Sequence, residues 1–271
     1  MIASEPLDPT DAPLHDTVVV PRYLRLFAEL ALEMMGVGAA ARVLHLACRT
    51  GFPAADLHAA PPAFDIVGID PSPAAIEVAR ANASAIGAER FVYRVGDGVP
   101  RDLEPESFTH VLALHPLLPV DRRRAFAELV PLIRTGGQAL IAVPLRGSFP
   151  EVTDLLREYA LKFDDIELTK ALEVALARRP TIETLSDDLE AAGFDDVDVE
   201  LRHVLVPFES GAAFASDPIA RLLVLPEIRS WFPDSDLARP LDYVREAMER
   251  YWSEATLELT VNVGCASARR E

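Results

Sequence analysis

Between residues 42 and 143, short apolar runs alternate with stretches of helical spacing, and this rhythm constrains the fold more than any other feature. Residues 42–47 read as a buried strand carrying Val43, Leu44 and Leu46. Further strands are expected at 64–69, 90–95, 109–114 and 138–143, the last entered through a turn at Gly136 and Gly137. Helices are expected at 54–58, 74–86 and 122–133, with Gly87 stopping the second. Strands separated by helices cannot pair as hairpins, so the pattern calls for a parallel sheet covered by helices on both faces.

The flanks read differently. Residues 1–20 hold Pro6, Pro9 and Pro13, which oppose regular structure. They are expected to form an acidic, partly disordered tail. Leu24, Phe27, Ala28, Ala31, Leu32 and Met35 then recur at helical spacing, and Gly36 and Gly38 end that run. Past residue 145, helices are expected at 149–159, 166–178 and 181–192, and a strand at 197–208. Residues 211–253 read as helical, broken by Pro218, Pro226, Pro233 and Pro240. At the end, Leu257, Leu259, Val261 and Val263 alternate with polar residues and predict a strand over 256–265, paired with 197–208. The expected organisation is a single domain over 21–271, with helical lid or insertion segments at about 149–180 and 211–253.

Composition narrows the function. Of 271 residues, 43 are acidic and 26 basic, a formal net charge of −17. Such a surface repels polyphosphates, so non-specific nucleic-acid binding is not expected. No apolar run reaches the ~18 residues of a membrane span. The opening 18 residues have four acids and no Lys or Arg, unlike the basic start of a secretory signal. Cys48 and Cys265 are too far apart in sequence for a metal-ligand spacing, and no metal is expected. A cytoplasmic location is the plain expectation.

The segment 43–51, Val-Leu-His-Leu-Ala-Cys-Arg-Thr-Gly, resembles the first motif of the class I S-adenosylmethionine-dependent methyltransferases: an apolar strand, an acidic residue and a Gly-x-Gly-x-Gly loop. The run 67–72, Val-Gly-Ile-Asp-Pro-Ser, resembles the acidic end of that family's second strand. Gly96-Asp97-Gly98 follows the third strand, and 129–137 resembles the helix and turn before the fifth. The resemblance implies an open Rossmann-like sheet of seven strands, mostly parallel with an antiparallel last strand. It places S-adenosylmethionine at Ala47, Gly51, Asp70, Asp97 and Gly98, with Asp70 on the ribose hydroxyls and Asp97 on the adenine amino group. By the residues alone, Asp70 also fits a helix-capping turn, and Asp97 a surface turn.

The loop departs from the motif in a coupled way. His45 stands where the family has an acid, and cannot supply that negative charge. Ala47 replaces the first glycine and Arg49 the second; only Gly51 remains. Arg49 would either crowd the place of the cofactor's methionine tail or need backbone angles that glycine adopts without cost. It could instead swing outward, or hold a ligand carboxylate, or form with His45 a pocket for an anionic ligand. His110, His115 and His203 lie in or near strands, and His115, after the fourth strand, is the best-placed of them for a general base, or else a loop histidine without chemical duty. Tyr23 and Tyr159 are candidate entrance residues, and Arg122, Arg123 and Arg124 either a contact patch or a solvated helix start. Two functions follow. One is a non-catalytic, methyltransferase-like pseudoenzyme that binds a protein partner or acts as a scaffold, with a homodimer through 211–253 as one arrangement. The other is an active methyltransferase acting on a small-molecule acceptor.

Overall fold

The computed structural model describes residues 2, 4–36, 40–60, 64–119, 121–232 and 236–271. The expected breaks at Gly38 and Pro233 lie outside these residues. Seven strands form one sheet: β1 (Ala41–Leu46), β2 (Phe64–Asp70), β3 (Phe91–Val95), β4 (Phe108–Leu114), β5 (Ile133–Pro144), β6 (Asp195–Phe208) and β7 (Leu257–Arg269). Their order is β3-β2-β1-β4-β5-β7-β6, mostly parallel with antiparallel terminal strands and helices on both faces. Val43 lies opposite both Ile66 and His110, and Leu46 opposite both Ile69 and Ala113, so β1 is interior and flanked in parallel on both sides. That position suits its apolar run, which must be buried on both faces.

The chain divides into two compact units. One comprises Met1–Val143, Ile182–Leu201 and Gly264–Glu271; the other comprises Pro144–Thr181 and Arg202–Val263. In the first, Val43, Leu44, Leu46, Val111, Leu112, Leu140 and Ile141 are fully buried along the central strands. The helix Pro73–Ala85 starts where the sequence demands: Ser72 accepts a hydrogen bond from the Ala75 N–H, and Pro73 takes the first turn. It ends before Gly87, whose φ of 69° no β-carbon opposes.

Three expectations are corrected. Residues 11–20 are helical rather than disordered: helix begins at Asp11–Leu14, widens into a π-helical stretch at His15–Leu24 and continues as Arg25–Met34. Ala12, His15, Val19 and Val20 are buried, which outweighs the local effect of the prolines. The helix expected over 122–133 stops at Ala127, because Pro131 cannot donate to a preceding turn. β5 therefore starts at Ile133, and Gly136, at φ 74°, sits inside it at a shift in register with β4. Arg122 is not part of a solvated start, since its side chain is largely buried against Asp188; Arg123 also donates to that carboxylate at 2.8 Å, but it and Arg124 are exposed.

The second unit holds the helices Pro150–Lys162, Ile166–Arg178, Gly211–Ser216, Leu225–Ser230 and Ala238–Tyr251, with a π-helical turn at Ala220–Val224. Most apolar residues of the 211–253 segment pack inside this unit; Phe214, Leu222, Val224, Ile228 and Met248 are all buried. Arg179 is its buried charge. It donates to the Ser148 carbonyl at 2.6 Å, pairs with Glu227, and lies over the rings of Phe149 and Trp231 at 4.7 and 4.5 Å. Among the described residues, no helix is long and apolar enough to cross a membrane.

Candidate functional site

The carboxyl ends of β1 and β2 meet at one point, and the site is built there. Open α/β sheets place ligands along this edge, where the strand order reverses. Beyond β1 the chain turns sharply through residues 47–51. Ala47, Arg49 and Gly51 all have positive φ, at 52°, 50° and 86°. Two residues with a β-carbon thus follow a path that glycine takes without strain, at a cost of about 1–2 kcal/mol each. The turn is closed by backbone bonds from Gly51 to the Cys48 carbonyl and from Cys48 to the Ile69 carbonyl.

At the end of β2, Asp70 is fully buried and its carboxylate is engaged on both oxygens. Oδ2 accepts from the Arg49 N–H at 3.0 Å and from the Ser4 hydroxyl at 2.6 Å; Oδ1 accepts from the Ser72 N–H at 2.9 Å. The Ser72 hydroxyl in turn donates to the Leu7 carbonyl at 2.6 Å. Arg49 is buried, and its guanidinium donates to the Glu5 carbonyl at 2.6 Å. Burial presses the Arg49 pKa down, while the charges of Asp70 and Glu5 hold it up. Arg49 therefore neither swings to the surface nor stands free.

His45 is buried in the middle of the sheet, opposite Gly68 and Leu112. Burial alone lowers its pKa to about 3, so the ring is neutral at ordinary pH, and its Nδ1 has no hydrogen-bond partner. No neighbouring charge contributes to that shift. A neutral His45 does not join Arg49 in a cationic pocket. A different histidine is electrostatically coupled to Arg49. His15 is buried, with Nδ1 3.3 Å from the Thr50 hydroxyl, and its pKa is lowered by burial, by Arg49 and by His115.

His115 follows β4 at φ 49°, and its N–H donates to the Ala142 carbonyl. Its ring is buried between Tyr23 and Phe27, at centroid distances of 5.4 and 5.1 Å, with Nε2 3.1 Å from the Tyr23 hydroxyl. Here the candidate base and candidate entrance residue pack on each other in the interior. His110 is held by the Thr109 hydroxyl at 2.7 Å and the Gly36 carbonyl at 2.7 Å, a structural pairing. His203 is exposed and bonds to Asn262. Tyr159 lies in the second unit, on a groove of about 850 Å³ shared with Phe163 and Tyr243. After β3, Gly98 is buried at φ 67°, while Asp97 is exposed. Among the described residues, no cluster of His, Cys, Asp or Glu could hold a metal.

Sequence reading missed several contributors. Tyr93 is one: a β-carbon on Gly68 would lie 2.3 Å from its ring, and one on Gly51 3.0 Å from it. A glycine inside β2 was the available signal, since such a residue marks close approach. Nothing local announces Ser4 or Leu7, whose partners lie 66 and 65 positions away.

With this geometry in view, comparisons with known proteins agree on one fold. A model of the methyltransferase domain matches residues 43–137. Phosphoethanolamine N-methyltransferase 2 of Haemonchus contortus, solved with S-adenosyl-L-methionine, has TM-score 0.56 and 14% identity; the match covers 97% of this chain but only 57% of that one. The complex of the Haloferax volcanii Trm112 methyltransferase activator with a putative methyltransferase has TM-score 0.53 and 17% identity, with 97% and 95% covered. The [4+2]-cyclase SpnF has TM-score 0.51 and 17% identity, with 91% and 81% covered. No curated protein sequence matches the chain. The fold is that of the class I S-adenosylmethionine-dependent methyltransferases.

Proposed function

We propose that this chain is a methyltransferase-fold protein with an impaired S-adenosylmethionine site, working by binding a partner rather than by transferring methyl groups. The observation that carries this reading is the state of Asp70. By the resemblance, it should accept the two ribose hydroxyls of the cofactor. Here it is buried and accepts hydrogen bonds from Ser4, Arg49 and Ser72. The arginine at the second glycine position supports the same reading, since its side chain is buried and held by the Glu5 carbonyl. Asp70, which would hold the ribose, is engaged by Ser4, Arg49 and Ser72, and we derive no methyl-transfer step through it. A protein partner fits this reading, as does a homodimer through 211–253. The fold serves more than one chemistry, as its likeness to a cyclase illustrates, so fold alone does not restore the enzyme reading.

A specific observation favours the second reading, an active methyltransferase on a small-molecule acceptor. Ala47, Arg49 and Gly51 have the positive φ values expected of a glycine loop, and Gly98 also has positive φ. Calorimetry and thermal shift with S-adenosylmethionine and S-adenosylhomocysteine test the choice. The proposal expects no saturable heat and no shift at millimolar ligand. Micromolar binding by the full chain, worth about 8 kcal/mol, would give the second reading precedence.

A further inference from the structure

The bonds that engage Asp70 and anchor Arg49 come in part from one short stretch, residues 4–7. Ser4 donates its hydroxyl to Asp70 Oδ2 at 2.6 Å. The Glu5 carbonyl accepts from the Arg49 guanidinium at 2.6 Å, and the Leu7 carbonyl accepts from the Ser72 hydroxyl at 2.6 Å. Each bond reaches a different piece of the sheet's carboxyl edge: the end of β2, the loop after β1, and the cap of the following helix. The Leu7 side chain is buried beside them. All of these residues belong to one compact unit.

The chemistry of the contact is specific. This carboxylate, with each oxygen held by one backbone N–H, Arg49 on Oδ2 and Ser72 on Oδ1, has room for an alcohol donor. Ser4 supplies an aliphatic hydroxyl, the same donor that a sugar would present. The stretch pairs with no strand, since residues 4–7 lie outside every helix and strand. Pro6 has no N–H to donate. Its attachment is therefore three hydrogen bonds made with side chains, together with the burial of Ile2 and Leu7, and the bonds are the part a competing ligand could replace.

We infer that residues 4–7 are an internal substitute for the sugar of a nucleoside ligand: they hold Asp70 through Ser4, and must leave before a nucleoside can bind. This deepens the reading of an impaired site, on which it rests, by assigning the closure to a removable segment rather than to the loop itself. When the segment leaves, the Arg49 guanidinium loses the Glu5 carbonyl and becomes available to an anionic group of the ligand. A ligand that binds only the open form has its apparent affinity reduced by the open fraction, so weakening the segment raises affinity up to the intrinsic value.

The test uses the full chain, a variant lacking residues 2–7, and Ser4→Ala in the full chain. Asp8 is kept in the shortened variant because its carboxylate accepts the Thr10 and Asp11 N–H groups. Adenosine and S-adenosylhomocysteine are titrated by calorimetry, with circular-dichroism melting as the check on folding. The expected result is at least tenfold tighter binding of both ligands by the shortened chain, an intermediate gain for Ser4→Ala, and loss of the gain when Asp70→Asn is added. A folded, shortened chain that binds no better than the full chain overturns the inference while leaving the impaired-site reading intact. Micromolar binding by the full chain that the deletion does not improve overturns both. Should the shortened chain not fold, Ser4→Ala decides, and no gain in adenosine affinity overturns the inference.

Discussion

Replacing His45 with Leu should remove most of one acid-sensitive contribution to stability, and its size follows from the structure. In the fold, burial holds the His45 pKa at about 3. In the unfolded chain it returns to about 6.5. The shift is downward, so the sign is opposite to that of a histidine with an anionic partner. Above pH 6.5 neither state is protonated and His45 contributes no pH dependence. Below it, the unfolded state binds a proton that the folded state refuses, and stability falls by up to about 1.4 kcal/mol per pH unit until the folded pKa is reached. Between pH 7.5 and pH 5.0 the loss is about 2 kcal/mol. His15, also shifted down, adds its own loss to both proteins and cancels in the difference. Urea unfolding of the wild type and His45→Leu at both pH values measures this. The wild type should lose about 2 kcal/mol more than the variant. Equal losses would mean that His45 is charged or solvated in the fold, and the account of a dry, neutral position behind the loop would be wrong.

Other consequences can be checked in parallel. Ala47→Gly should raise unfolding free energy by about 0.5–1 kcal/mol, the relief of a positive φ less the added chain entropy, read from the urea midpoint. Gly68→Ala should destabilise by about 1–3 kcal/mol, because the new β-carbon meets the Tyr93 ring, and Tyr93→Leu in the same chain should recover part of the loss. Arg179→Ala should cost about 3–5 kcal/mol by breaking the buried ion pair with Glu227, and Arg179→Lys should recover little, since an ammonium cannot both reach the Ser148 carbonyl and stack against two rings.

The central strands were legible because burial on both faces forces continuous apolar runs, and β1, β2 and β4 fall within one residue of where those runs lie. The helix Ile166–Arg178 was legible for the complementary reason, a 3.6-residue apolar spacing behind an Asp cap. The start of β5 was not, because a register shift around Gly136 is a property of strand pairing rather than of local sequence. The candidate site divides the same way. Asp70 and the altered loop could be placed from spacing. The engagement of Asp70 could not, because a serine among prolines and acids carries no sign of a partner 66 positions away. His45 shows a third case: its identity was plain, but its neutral state depends on burial that only the assembled sheet supplies.

The most direct measurement is a crystal structure of the full chain grown with saturating S-adenosylhomocysteine. The account predicts the Ser4 hydroxyl still within hydrogen-bonding distance of Asp70 and no ligand along the loop 47–51. Ribose hydroxyls on Asp70, with the ligand's amino-acid end lying undisturbed past Arg49, would contradict it.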